Sequence, residues 1–488
     1  MRKNILTLCM VFYIIGVHAQ TAGGVFEPGP PMQTSRIATA IGATASGEFL
    51  FFGGRSYGFV SSAFADVFNP ETMVFTNVNM LYPHDNAVVI KTEDGRFFIA
   101  GGGYNLGVPA YNTAEWYDPE TRTFSDAGTM LYSRMQGTGI QLTDGRLLIV
   151  GGWYDPTAAV QTELYDPASG TSTAAGSLIQ ARSSALVLPC DDGGAVVFGG
   201  YPTYGGNYLA GVEYFDPVTN TFSVLQDELI ADEPGYYTAY DNANKEEPSL
   251  FQLADGRYVF LAWRTDPVIE YILVSFDPAT KAFERIHLNT PLKSDLTDGG
   301  FVEMTINIEE HLAYLLAADA EAAGAGLSLV TVDLNTGNVY QPSINQYFPD
   351  YTWLVFGNMV YVPQLEKILF VGVSTSGTDY FNATTGTYLI TPDYTVDINE
   401  PVYQPKCEVY PNPSQGILEV YLEVKEPSSF TFTITDMAGR KMCNEIRHAA
   451  IESNYKWRLD LQDFPAGTYN LLIMGNDIQI TKRIIIVD

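Results

Sequence analysis

The chain has 488 residues, with 44 glycines, 27 prolines, 17% charged residues and 13% aromatics, which suits a turn-rich globular β protein and argues against disorder. Its 26 Lys and Arg against 56 Asp and Glu leave a net charge of −30 and exclude a nucleic-acid partner, because phosphate backbones call for a basic stripe. The acidity itself reads as a solubility device.

Residues 1–19 have the pattern of a secretory signal peptide. Arg2 and Lys3 supply positive charge, Ile5 to Val17 is apolar, and Ala19 precedes Gln20. The apolar stretch is too short for a membrane span, and no later stretch has the ~18 apolar residues of a transmembrane helix. The protein is therefore expected to be exported, either released or attached to the cell surface. Cys9 leaves with the leader and Cys190 stands alone, whereas Cys407 and Cys443 share one module and either pair or remain thiols. With no CxxC and no clustered His and Cys, neither a metal nor another cofactor is expected.

A unit at Met130 to Asp166 sets the pattern of the next stretch. Gln136 to Leu142 reads as a strand, Thr143-Asp144-Gly145-Arg146 as a hairpin turn, and Leu147 to Val150 as a strand buried on both faces. Gly151-Gly152 lets the chain leave that strand, and Val160 to Tyr165 forms a third, closed by Asp166-Pro167. The closing turn recurs at Asn69, Asp118, Asp166, Asp216 and Asp277, and more weakly at Asp333 and Asn382, with spacings of 49, 48, 50, 61, 56 and 49. Glycine pairs keep the same beat at Gly53, Gly101, Gly151 and Gly199, and degrade to Ala262-Trp263 and Ala317-Ala318. A fourth strand carries Phe75, Phe124, Phe222 and Phe283.

Four antiparallel strands repeating at about fifty residues predict an all-β fold, a β-propeller over residues 26–392 with seven blades, six or eight being the alternatives that the degenerate fifth to seventh units leave open. The segment from Phe26 is read as an outer strand that completes the last blade. The double glycines, the Tyr117-Asp118 and Tyr165-Asp166 strand ends and the fourth-strand aromatics resemble the Kelch repeat family. The likeness is specific over residues 30–225 and weaker over residues 240–392. It implies a funnel on one face of the ring as the place for a ligand.

Residues 393–406 read as a linker, rich in Pro, Asp, Asn and Glu. Alternating strands in residues 407–488 predict a small Ig-like β-sandwich. Tyr410-Pro411-Asn412-Pro413, Asp436, Gly439-Arg440, Leu459-Asp460-Leu461, Pro465-Ala466-Gly467-Thr468-Tyr469 and Lys482 resemble the C-terminal sorting domain of the type IX secretion system of Bacteroidetes. That resemblance implies the secretion machinery as a partner, outer-membrane passage, and release or surface attachment.

Candidate ligand-binding residues follow from the repeat. The loops after the glycine pairs carry Tyr57, Tyr104, Trp153, Tyr154, Tyr201 and Tyr204, with Trp263 and Arg264 at the degenerate pair. The innermost strands begin with Arg36, His84-Asp85, Arg134 and Arg182. Aromatic rings stack on sugar faces and guanidinium groups bind anions, so the expected ligand is a glycan or a surface protein. The arginines have a second, structural reading, as hydrogen-bond donors to the loop carbonyls of a neighbouring blade.

The leading expectation is a non-catalytic binding propeller. The alternative is a carbohydrate-active enzyme (hydrolase, epimerase or oxidase) with its site in the same funnel. Asp232, Glu233, Glu246 and Glu247 are the carboxylates that glycosidase chemistry would draw on, although they read more simply as a solvated loop. Galactose oxidase and its relatives also carry Kelch-type blades, and His84-Asp85 sits where a superficially similar pair occurs in them. Copper-radical chemistry needs two histidines and two tyrosines converging. The propeller region holds only His84, His287 and His311, so that chemistry is not expected.

Overall fold

The computed structural model describes residues 23–487 except 38, 57–59, 104–109, 154–159, 203–207, 239–251, 266–268, 293–299, 320–324, 341–345, 349–356, 373–384, 394–406, 425–427, 437–440, 450–452, 463 and 476–477. The leader, most of the linker, Tyr57, Tyr104, Tyr154, Tyr204, Glu246 and Glu247 lie outside the described residues.

The protein is all-β: among the described residues there are nine sheets and one single-turn helix, Pro363–Leu365. Seven sheets occupy residues 23–393, and each is antiparallel and built mainly from four strands in sequence order. The third is typical, with Met135–Gln141, Leu147–Trp153, Glu163–Asp166 and Thr171–Ala174 lying side by side. In the seventh, Asn358–Val362, Lys367–Val371 and Tyr388–Asp393 receive Gly23–Pro28 as the outer strand. The two ends of this region are thus sewn into one sheet, from Gly23 opposite Asp393 to Pro28 opposite Tyr388.

The run Leu147-Leu148-Ile149-Val150 is wholly buried because both of its faces are covered by neighbouring sheets. Leu147 and Ile149 pack with Val88 and Phe98 of the second sheet, and Leu148 and Val150 with Val187 and Val197 of the fourth. The same logic joins the other neighbours. Leu50 and Phe52 meet Phe97 and Ile99 between sheets one and two, and Phe198, Phe260 and Leu315 run through sheets four to six. Tyr314 and Leu316 meet Phe370 and Ile390 between sheets six and seven. Ile41 and Phe51 of the first sheet pack on Val360, Val362 and Leu369 of the seventh, so the succession of buried faces returns to its start.

The remaining two sheets hold Cys407–Tyr410, Ile417–Val424 and Ser453–Asp460 on one side and Ser428–Asp436, Lys441–Ala449, Gly467–Gly475 and Ile478–Ile486 on the other. Leu418, Val420 and Leu459 of the first face Phe432, Ile434, Leu471 and Ile484 of the second, forming one core. The Tyr410-Pro411-Asn412-Pro413 motif is tied to the last strand, because Asn412 donates to the Arg483 carbonyl at 2.8 Å and accepts from the Ile485 amide at 2.9 Å. Cys407 and Cys443 both pack, half-buried, against this core.

Candidate functional site

The glycine pairs are the joints between successive sheets. Gly101 and Gly151 have φ of +69° and +62°, and a Cβ on them would lie 2.4 and 2.3 Å from the carbonyl oxygens of Arg134 and Arg182 in the next sheet. Only glycine combines that backbone conformation with that approach. The following glycines use the contact, since the Gly102 amide donates to Arg134 O at 2.7 Å and the Gly152 amide to Arg182 O at 3.0 Å.

The four cations at the head of the innermost strands are built into these joints and are fully or almost fully buried. Each lies against the glycine-pair carbonyl of its own sheet and against a buried acid. Arg36 pairs with Asp66 at 2.7 Å, Arg134 with Glu163 at 2.8 Å, and Arg182 with Glu213 at 3.1 Å. The Nη1 atoms of Arg36 and Arg182 donate to Gly53 O and Gly199 O at 3.1 and 2.9 Å, and that of Arg134 to Gly151 O. His84 takes the same place in the second sheet, between Gly101 O at 2.5 Å and Glu115 at 3.0 Å. Burial pulls each arginine below its ordinary pKa, and the adjacent acid pulls it back.

The second carboxylate oxygens hold the crossing from one sheet to the next, with the Leu81, Leu131 and Ile179 amides donating to Glu115, Glu163 and Glu213 at 2.8, 2.7 and 2.7 Å. The sequence reading missed these acids. The available signal was an acid three residues before the Asn or Asp of each closing turn, at Asp66, Glu115, Glu163 and Glu213.

A polar and aromatic rim runs across the same end of sheets one to five. Asp85 is fully buried, accepts from Asn86 Nδ2 at 3.0 Å, and faces Arg55 of the first sheet at 3.6 Å. Its second oxygen, Oδ2, has no hydrogen-bond partner among the described residues. Burial pushes the Asp85 carboxyl up to about 6, against the pull of Arg55. Asn86, Gln136 and Ser184, each two residues past a cation, have φ of +52°, +55° and +53°. Each such non-glycine conformation costs roughly 1–3 kcal/mol, and here it serves a relay in which Gln136 N donates to Asn86 O and Ser184 N to Gln136 O, at 2.8 and 2.9 Å.

Tyr201 is buried and its hydroxyl donates to Gln136 Oε1, so it ties sheet four to sheet three. Its ring meets that of Tyr208 at 6.3 Å, which stacks on Tyr237 at 4.7 Å. Tyr237 meets Trp263 edge-on at 5.0 Å, and Trp263 stacks on Tyr271 at 6.0 Å. Tyr208, Tyr237 and Trp263 are half-buried, and Trp263 Nε1 has no acceptor among the described residues. Tyr208 and Tyr237 were not among the sequence candidates.

Of the sequence candidates, then, Arg36, His84, Arg134 and Arg182 each lie in a separate sheet, held between a buried acid and a glycine-pair carbonyl, while Tyr201 joins the aromatic run. Trp153 pairs through its backbone with Met135, and nothing of its side chain is described. Among the loop carboxylates, Asp232 is exposed and Glu233 is bound by Arg285 at 2.6 Å.

Residues 408–487 match the family described as the secretion system C-terminal sorting domain. No curated protein matches the chain. Among solved structures, the chain is similar to a novel fungal alcohol oxidase with catalytic diversity among the AA5 family, in complex with copper, at 12% identity and a TM-score of 0.53. The match covers 96% of this chain and 100% of that one. At this identity the likeness is one of fold.

The sorting domain implies an interaction with the type IX secretion machinery, and secretion or attachment at the cell surface. No helix among the described residues is long and apolar enough to cross a membrane. The described donor set does not fit a copper ion. Both ring nitrogens of His84 are held by Gly101 O and Glu115, and no three His, Cys, Asp or Glu side chains converge among the described residues.

Proposed function

We propose that residues 23–393 form a seven-bladed β-propeller of the Kelch type, that residues 407–488 form an Ig-like sorting domain, and that the exported protein binds a glycan at the glycine-pair end of the propeller. The observation that carries the binding reading is the half-exposed aromatic run of Tyr208, Tyr237 and Trp263. Exposed aromatic faces suit the apolar faces of sugar rings. The buried cations fit the role of joints that hold this rim in place.

A glycan array probed with the secreted protein tests this. Binding should fall at least tenfold in Tyr237→Ala and Trp263→Ala. A blank glycan array, with a surface protein recovered instead, would replace the glycan by a protein ligand. A carbohydrate-active enzyme is the second reading, favoured by Asp85, whose buried carboxyl is held up to about 6, within the range of a general acid near neutral pH. Turnover in a panel of glycosidase and epimerase assays, lost in Asp85→Asn, would establish it.

A further inference from the structure

The outer strand of the fourth sheet does not run straight. Glu213 stands opposite Val224 and Val212 opposite Gln226, so Leu225 is an extra residue and the strand bulges. Beside the bulge lies a cavity of about 260 Å³. Its floor includes the Arg182–Glu213 pair, and Tyr208 forms one wall.

Among its other lining residues, Gln180 and Asp227 carry polar groups that the fold leaves unused. Gln180 gives its Oε1 to Arg182 at 3.4 Å, but its Nε2 has no acceptor among the described residues. Asp227 is exposed and has no partner among the described residues. Gln226 is fixed by bonds from its Nε2 to Glu228 O and Leu229 O, both 2.8 Å, which pin the turn that presents Asp227. One aromatic wall, one free carboxylate and one free amide N–H together match a pyranose, which offers an apolar face, hydroxyl donors and hydroxyl acceptors. The buried arginine adds no net charge, because Glu213 neutralises it, and so an anionic ligand has nothing to pair with.

Tyr208 belongs to both the cavity wall and the aromatic run. We infer that this cavity receives the terminal sugar of a neutral oligosaccharide, whose following residues lie along Tyr237 and Trp263. The inference rests on the glycan-binding reading and makes it specific: the protein reads a chain end, not the middle of a polymer.

The test uses the full secreted protein and oligomers of one to four units of glucose, galactose, mannose and N-acetylglucosamine, titrated by ligand-observed NMR. One sugar series should bind already as the monosaccharide, with affinity rising to the trimer and then level. Asp227→Asn should weaken every length at least tenfold with the thermal midpoint unchanged, and Gln180→Leu should weaken every length to the same degree. Tyr237→Ala should weaken only the longer oligomers.

Oligomer binding lost in Tyr237→Ala but untouched by Asp227→Asn and Gln180→Leu would overturn the pocket and leave glycan binding standing. Absence of binding by every oligomer would overturn both. Preferential binding of N-acetyl-lysine methylamide, lost in Asp227→Asn, would make the cavity a cation site and overturn the sugar assignment.

Discussion

A buried charge is tolerated only with a partner, and in this protein the partner also does mechanical work. Glu163 holds Arg134 with one oxygen and the Leu131 amide with the other, so a single side chain fixes both the strand head and the crossing before it. Glu163→Gln leaves a buried guanidinium with a neutral neighbour and should cost about 3 kcal/mol, read from the urea midpoint, whereas Glu120→Gln at an exposed turn should change stability by less than about 0.5 kcal/mol. Asp85 behaves in the opposite way. Burial pushes its carboxyl up to about 6 in the folded chain from an ordinary 3.8, so the folded state binds more protons between those values. Stability from this group is full below about pH 4, falls as pH rises to about 6, and is level beyond, a loss of roughly 2–3 kcal/mol in total. Asp85→Asn should remove that slope, measured as the difference in unfolding free energy between wild type and variant at pH 4.5 and pH 7.

At the scale of the element, glycines that look alike in the repeat do different work. Gly145 turns a hairpin with φ of +87° and has nothing within 4 Å of where a Cβ would be, whereas Gly151 would set a Cβ 2.3 Å from Arg182 O. Gly145→Ala should therefore cost only the backbone strain, about 1–2 kcal/mol, and Gly151→Ala clearly more, because the next sheet must move. Thermal unfolding of the two variants checks the order. The hairpin turns, the buried second strands and the closing Asp-Pro turns were all legible in the sequence, because each rests on neighbours within a few residues. The outer-strand bulge at Leu225 was not, since a one-residue slip in pairing leaves no mark on the residue types of either strand.

Across the whole molecule, two bodies answer to different demands. The seven-sheet region has its first strand hydrogen-bonded to its last, from Gly23–Asp393 to Pro28–Tyr388, so its stability depends on both ends. The C-terminal pair of sheets has its own core around Leu418, Phe432 and Ile484. Removing residues 407–488 should leave glycan binding intact while the protein is retained inside the cell envelope, as immunoblots of culture supernatant and cell fractions would show.

The sequence by itself determined the all-β character, the rhythm of the sheets, the acidic surface and the sorting tail, because turns, strand periodicity and short ordered motifs are local. It also placed Arg36, His84, Arg134 and Arg182 at one repeat position. Only the tertiary structure decided what they touch: their acids lie 29 to 31 residues away in the histidine and in the arginines at 134 and 182, a distance over which residue type carries no pairing information. The same holds for the run from Tyr201 through Tyr208 and Tyr237 to Trp263, which two sheets assemble from segments that are separate in the chain. Burial and juxtaposition arise when sheets cover one another, and that happens only once the whole ring of contacts is in place.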